Sequence, residues 1–234
     1  MAITNYTNLK SSIADFLNRD DLTNVLDTFI GLAESHINRD VRHWKMQHTE
    51  NIAHSSNGQF ILPADWLETV SVQYKDTSNA TKKYPLEYVS EATFRERTYN
   101  SDQESGTPRY FTVEAVTDSS TNSYLSAVKT FPEASTGTVD VIYYQHLPSL
   151  IDTTATIWLL TDAPDIYLYG ALIHSAPYLK DDERLAMYGH LYGTAVARLT
   201  QASEQAEYSY DRLKTRKTGL DTSRSRQPNH VRWS

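Results

Sequence analysis

The stretch from residue 161 to 202 constrains the fold most, because it carries two helical patterns in succession. Pro164 suits the first turn of a helix, where its missing N–H is not needed, and Thr161 or Asp162 stands upstream as a cap. A helix that is apolar on every side must be buried on every side. We therefore expect one side of this helix to face the core and the other to face a second partner, such as another subunit. The residues that leave no polar face are Ile166, Tyr167, Leu168, Tyr169, Ala171, Leu172 and Ile173.

The pattern breaks at Pro177 and restarts at an acidic cluster, residues 181–183, whose negative charge suits the positive end of a helix dipole. Apolar residues then recur at steps of three and four, which places them on one face of a second helix. They are Leu185, Tyr188, Tyr192, Ala195, Leu199 and Ala202. Gly189 and Gly193 lie one turn apart in this helix, and each costs about 1 kcal/mol relative to alanine. Close approach of another helix and simple tolerance are equally good explanations of these glycines.

Two further helices are predicted near the amino terminus. Thr7 can cap the first, which should end near residues 18–20, and the second runs to about Val41. Because the first helix is too short to cover the apolar face of the second, we expect the two helices after residue 161 to cover it. The apolar positions of the two amino-terminal helices are Leu9, Ile13, Phe16, Leu17, Leu26, Phe29, Ile30, Ala33, Ile37 and Val41.

Between residues 45 and 146 the periodicity changes to that of strands. Asn57-Gly58 is a strong hairpin signal between two strand-like segments, and it predicts that residues 46–54 pair with residues 59–63. Four more strands are predicted over residues 67–74, 109–116, 123–130 and 138–146, with a short surface helix from Ser90 to Tyr99.

These elements predict an α+β protein, a four-helix bundle built from both chain ends with an inserted antiparallel β domain and an extended C-terminal tail. The predicted boundaries are 1–44 plus 161–215 for the bundle, 45–160 for the β domain and 216–234 for the tail.

Charge is distributed unevenly along the chain, whose formal net charge is −7. From Asp211 onward seven basic residues stand against two acidic ones, which gives +5 and leaves −12 on residues 1–210. A basic tail on an acidic protein indicates an acidic partner, either protein or nucleic acid. The tail has no apolar period after Gly219, so we expect it to have no structure of its own. Its Val231 and Trp233 indicate an anchor that folds onto a partner, although a frayed end is an equally common explanation.

The sequence motifs that are typical of catalytic, phosphate-binding and metal-binding sites are absent from this chain. There is no cysteine, none of the eight glycines belongs to a phosphate-binding loop, and the chain contains no nucleophile elbow. His43, His48 and His54 are expected to be scattered by strand and loop geometry, and the acidic cluster is explained as a helix start. We therefore predict no catalytic, cofactor-binding or metal-binding residues. The longest apolar run is too short to span a bilayer and no signal peptide is present, so we expect an intracellular product without a membrane partner.

In the order of its motifs the chain resembles the head-to-tail adaptor (connector) proteins of tailed bacteriophages. The resemblance covers most of residues 5–200, and its most specific pieces are LAESHINRD, PLEYV and APDIYLYGALIHSAPYLKDDERL. It implies a structural virion protein at the head-tail junction, present in the host cytoplasm before assembly. Such proteins form a ring, typically of twelve subunits, beneath the portal protein. The ring extends the channel for double-stranded DNA without binding it specifically, and tail or nozzle proteins dock on it.

The resemblance implies that the protein docks on neighbouring subunits and on the portal. It fades after about Thr200, so it indicates that the tail docks on the portal but not which residues do so. Sixteen tyrosines against six phenylalanines are typical of a protein rich in interfaces. We predict a subunit interface at Tyr167, Tyr169, Leu172, Tyr188 and Tyr192. We predict a portal-docking tail at Arg224, Arg226, Val231, Arg232 and Trp233.

Two other functions are considered. The first is a nucleic-acid-binding protein that acts through its basic tail. The second, a hydrolase whose β domain binds glycans, is disfavoured because no carboxylate pair stands at matched strand ends.

Overall fold

The computed structural model describes most of the chain and shows a mixed α+β protein. Its described part contains six α-helices and two four-stranded sheets, which confirms the predicted α+β class but not the predicted four-helix bundle. The predicted tail, residues 216–234, lies outside the described residues. The described residues are 3–19, 21–54, 59–77, 82–99, 106–118, 123–134, 136–151, 157–180 and 182–212.

Five of the helices share one hydrophobic core. The helix α5 is central to it, because it contacts α1, α2, α4 and α6. The helix α3 instead packs on a small cluster beside the sheets. The helices are α1 (Tyr6–Leu17), α2 (Thr23–Asp40), α3 (Glu91–Tyr99), α4 (Trp158–Asp162), α5 (Pro164–Leu179) and α6 (Asp182–Arg212).

Two predicted helix caps are wrong. The helix α1 begins before Thr7, and the side chain of Asn5 caps it by accepting a hydrogen bond from the Asn8 N–H at 2.8 Å. Thr161 and Asp162 belong to the separate short helix α4, so that α5 starts with Pro164 in its first turn and without a side-chain cap.

The α5–α6 boundary lies slightly later than predicted. Pro177 does not break α5, which continues to Leu179 and ends at Lys180 in the left-handed conformation with a φ of 56°. Proline at this position removes one helical hydrogen bond, the one that an N–H would donate to the Ile173 carbonyl, and α5 ends only two residues later. The helix α6 begins at the acidic cluster, as predicted, and extends ten residues beyond Ala202.

In the described part of the chain, eight strands form two sheets that face each other. In sheet A the strand order is β1-β8-β3-β4, and in sheet B it is β2-β7-β6-β5. All pairs are antiparallel except β5 with β6. The two sheets enclose their own hydrophobic core. The strands are β1 (Gln47–Ala53), β2 (Gln59–Ile61), β3 (Trp66–Lys75), β4 (Lys83–Pro85), β5 (Glu87–Tyr88), β6 (Tyr110–Asp118), β7 (Ser123–Phe131) and β8 (Thr138–Gln145).

The predicted hairpin around Asn57-Gly58 is wrong, although its two strands exist. The strand β1 pairs with β8 in sheet A, whereas β2 pairs with β7 in sheet B. Phe60 of β2 is fully buried between the sheets, and this burial favours pairing within sheet B over pairing with β1. The turn residues themselves, 55–58, lie outside the described residues.

The chain leaves the sheets through a segment that is pinned to α2. The carboxylate of Glu34 accepts hydrogen bonds from the Ser149 hydroxyl at 2.9 Å and from the Leu150 N–H at 2.6 Å. Asn38 accepts another from the Leu147 N–H at 2.9 Å. The helical core therefore includes residues from inside the predicted 45–160 segment, and the exact division into domains stays a prediction. These residues are Met46, Leu150, Ile157, Leu159 and Leu160.

A carboxylate on β8 ties together all four strands of sheet A. Asp140 lies 2.7 Å from Lys75 Nζ on β3, 3.0 Å from Lys83 Nζ on β4 and 2.7 Å from Asn51 Nδ2 on β1. Burial alone would raise the pKa of Asp140. The hydrogen bonds from Lys75, Asn51 and Lys83 outweigh burial and hold that pKa at about 2, below the ordinary 3.8.

We expect Asp140→Asn to destabilise the protein by about 2 kcal/mol at pH 7, because it removes the charge that two lysines share. A carboxyl group whose pKa is lowered by folding stabilises the protein above its unfolded pKa. This contribution should disappear as the pH falls from about 4 to about 2. Urea unfolding across that range should bring the curves of the wild type and Asp140→Asn together. Glu91→Gln, which removes an exposed helix pair with Arg95, is the matched control and should change stability little.

Candidate docking surfaces

The residues of the predicted subunit interface lie in the core of a single subunit. Tyr167, Leu172, Tyr188 and Tyr192 are at most 5% exposed, whereas Tyr169 is partly exposed. The helices α1, α2, α4 and α6 all contact α5, so the burial of Tyr167 and Leu172 does not require the second partner that the composition of α5 suggested. The interface role of these residues stays a prediction, and Tyr169 has the largest accessible area among them.

One of these buried side chains, Tyr192, joins a polar cluster between α2, α5 and α6 that sequence reasoning missed. The Tyr192 hydroxyl donates to Asp40 Oδ2 at 3.1 Å, and His36 Nε2 lies 3.3 Å from the same oxygen. The His36 ring stacks on Tyr192 and meets the ring of His174 edge-on. Burial, aided by the nearby positive charge of Arg39 and by His36, lowers the pKa of His174. His36 and Asp40 lie one turn apart on α2, but no local pattern links them to Tyr192, which is 152 residues from Asp40.

A shallow apolar depression, the interhelical groove, opens beside this cluster. The space above Gly189 and Gly193 is empty, with no atom within 4 Å of a Cβ built at either position. Close approach of a helix of the same subunit is therefore not the reason for these glycines. The groove is lined by His36, Asp40, Ile173, Leu185, Tyr192, Val196 and Ala197, together with the two glycines.

We expect Gly189→Ala and Gly193→Ala each to raise the free energy of unfolding by about 0.5–1 kcal/mol, because both sites are helical, exposed and unobstructed. Thermal unfolding of the two single variants and their double variant should show additive increases. Gly170→Ala is the matched control: its Cβ would lie 3.2 Å from that of Ala33, so we expect no gain there. A loss of stability in the Gly189 or Gly193 variant would contradict the open groove.

A second depression lies where the helices meet sheet A, and two tryptophans flank it. Lys45 Nζ lies 5.4 Å from the ring centre of Trp158 and 5.7 Å from that of Trp44, and it pairs with Asp162 at 2.5 Å. The ring of His43 stacks on Trp158, and burial lowers the pKa of His43. Trp44 is 44% exposed. Tryptophan is enriched among the residues that dominate protein interfaces, so exposed Trp44 is a candidate anchor for a partner. The two tryptophans are 114 residues apart in the sequence, so no local pattern could have predicted that they lie close together.

A third depression, the sheet-edge groove, has a volume of about 570 Å³ and lies where the edges of the two sheets meet. Val70 and Tyr88 are 45% and 63% exposed in its wall, and Glu68 is its charged residue. The remaining apolar walls are Trp66, Leu86, Phe111 and Val113.

The described residues contain no group of three or more histidine, aspartate or glutamate side chains arranged to hold a metal ion. In the same part of the chain, no helix combines the length and apolarity needed to cross a membrane. The predicted portal-docking residues lie outside the described residues, and so does Asp181 of the acidic cluster. They are Arg224, Arg226, Val231, Arg232 and Trp233.

Comparison with known proteins places this architecture in a family. No curated protein matches the chain significantly. The sequence model of the SU10 adaptor protein family matches residues 4–216, which include the helices from both chain ends and both sheets. The match supports the resemblance to phage head-to-tail adaptors that the motifs indicated. Because it spans most of the 234 residues, the chain belongs to the SU10 adaptor protein family.

Proposed function

We propose that this protein is a structural head-to-tail adaptor that forms a ring, of twelve subunits, beneath the portal of a tailed phage. The ring lengthens the DNA channel and offers a surface on which tail or nozzle proteins dock. The observation that carries this proposal is the family match over residues 4–216. A site in the virion at the head-tail junction follows from the same assignment.

The surface of the subunit is compatible with such a ring. A ring contact joins two different faces of the same chain, so a subunit needs more than one apolar surface. The interhelical groove, the Trp44–Trp158 depression and the sheet-edge groove supply three separate ones. The charge of −12 on residues 1–210 suits a channel for DNA, since a basic wall would retain the phosphates.

In this proposal the basic tail binds an acidic surface of the portal. Arg224, Arg226 and Arg232 supply the charge, and Val231 and Trp233 supply the apolar anchors. Binding would order the tail, and burial of the Val231 and Trp233 side chains would contribute to the affinity. Tyr169 is the residue of the predicted interface set that is best placed to touch a neighbouring subunit.

Electron microscopy of the purified protein, alone and with purified portal, tests the proposal. We expect rings with a central hole, either free or templated on the portal. A protein that stays monomeric and does not bind portal would contradict the adaptor function. A monomer in the absence of portal would not, because the portal can act as the template.

The charge of the tail favours one other candidate, a nucleic-acid-binding protein. Contacts with phosphates would make retention on DNA fall steeply as the salt concentration rises. Binding to portal at moderate salt, together with weak retention on DNA, would favour the adaptor.

A further inference from the structure

The sheet-edge groove lies between two strand edges that carry no neighbouring strand among the described residues. The strand β4 covers β3 only at residues 73–75, so residues 66–71 of β3 are unpaired on that side. The strand β5 covers β6 only at Tyr110 and Phe111, so β6 is unpaired on that side from Thr112 onward. Because the chain crosses from β4 directly to β5 at Leu86, both open edges lie on the same side of the two sheets.

Unpaired strand edges beside an apolar groove are the features of a site for strand addition. The edge offers main-chain hydrogen bonds to an extended segment, and the groove accepts every second side chain of that segment. Natural proteins usually cover such edges, because an open edge invites pairing with other chains. The volume of about 570 Å³ is in the range of sites that hold a ligand.

The end of the chain carries a segment that fits this description. In an extended conformation Val231 and Trp233 lie on one face and Arg232 lies on the other. The two apolar side chains would enter the groove, while Arg232 would point to the opposite face of the added strand.

The reach of the chain allows this docking within one subunit. Ser203 of α6 accepts a hydrogen bond from the Trp44 N–H at 3.0 Å, so α6 passes close to the start of sheet A nine residues before the helix ends. Eighteen residues lie between Arg212, where α6 ends, and Val231. An extended chain of that length spans about 60 Å, whereas a domain of this size is about 45 Å across.

We infer that residues 229–234 dock as an added strand in the sheet-edge groove of their own subunit and cover its open edges until the subunit meets the portal. The release step rests on the proposed function, because the same Val231 and Trp233 are the proposed portal anchors. The two bound states of the segment exclude each other. While the segment occupies the groove, it is therefore not available to bind the portal.

Photo-crosslinking of the full chain tests the docking without any portal. A p-benzoylphenylalanine at position 88, in the wall of the groove, is expected to crosslink to residues 229–234. The same group at position 124, which is 82% exposed on β7 and outside the groove, is the matched control and should not reach that segment. The double variant Val231→Ser, Trp233→Ser should lower the crosslink yield from position 88 at least about tenfold.

Mixing light and heavy isotope-labelled chains identifies the subunit that supplies the segment. We expect crosslinks within one isotope only, and mixed-isotope crosslinks would overturn docking in the same subunit. Crosslinks from position 88 that omit residues 229–234, or an unchanged yield in the double variant, would overturn the groove as the site. Added portal should lower the yield. A crosslink that persists in a protein that does not bind portal would contradict the proposed function and leave the docking established.

Discussion

A truncated variant that lacks residues 219–234 is expected to lose portal binding while it keeps its fold. The described helix α6 ends at Arg212, before the deletion, so the hydrophobic cores stay intact. A buried tryptophan and paired arginines typically dominate an interface, at about 2 kcal/mol or more each. Their joint loss should weaken binding at least about 100-fold. Sedimentation with purified portal measures the binding, and circular dichroism melting measures the fold.

Two full-length variants separate charge from anchoring in this experiment. Replacing Arg224, Arg226 and Arg232 with glutamine should reduce both the association rate and the dependence of binding on salt. Replacing Val231 and Trp233 with serine should instead increase the dissociation rate. Unchanged portal binding in the truncated protein would remove the tail from the proposed interface.

The helices could be predicted from the sequence because their apolar spacing persists over several turns. The stripe from Leu26 to Ile37 and the one from Leu185 to Leu199 both face the core of the structure. Helix starts were predicted less well, since several residues near each start can serve as a cap. Asn5 and Thr7 both have the right chemistry, and only the path of the chain selects Asn5.

Strand pairing could not be predicted from the same patterns. Asn57-Gly58 indicates only that a turn is favourable there. The strand that pairs with β2 is determined by burial of Phe60 in the core between the two sheets. The strands β4 and β5 have three and two residues, too few for a period to appear. They exist because neighbouring backbone groups pair with them.

The candidate surfaces were the least predictable part of the molecule. An apolar helix has the same sequence whether a neighbouring subunit or its own chain buries it. In this protein α1, α2, α4 and α6 supply the cover for α5. The sheet-edge groove joins Val70 with Phe111, which are 41 residues apart, and no local pattern links them.

Leu172→Ala is expected to lower the free energy of unfolding of the subunit by about 2–5 kcal/mol. Leu172 is completely buried within one chain, so truncation leaves a cavity that its neighbours fill only in part. Such a loss is a large fraction of the stability of a typical domain, and the melting temperature should fall by several degrees or more. Urea unfolding at low protein concentration measures the effect without a contribution from assembly.

Met187→Ala is the matched control, because Met187 lies on α6 and is 50% exposed. Its truncation should change the stability of the subunit by less than about 0.5 kcal/mol. If Leu172 acted only between subunits, Leu172→Ala would instead leave the dilute protein as stable as the wild type and weaken ring formation. The comparison therefore decides between the core of one chain and a ring contact as the reason for the unbroken apolar surface of α5.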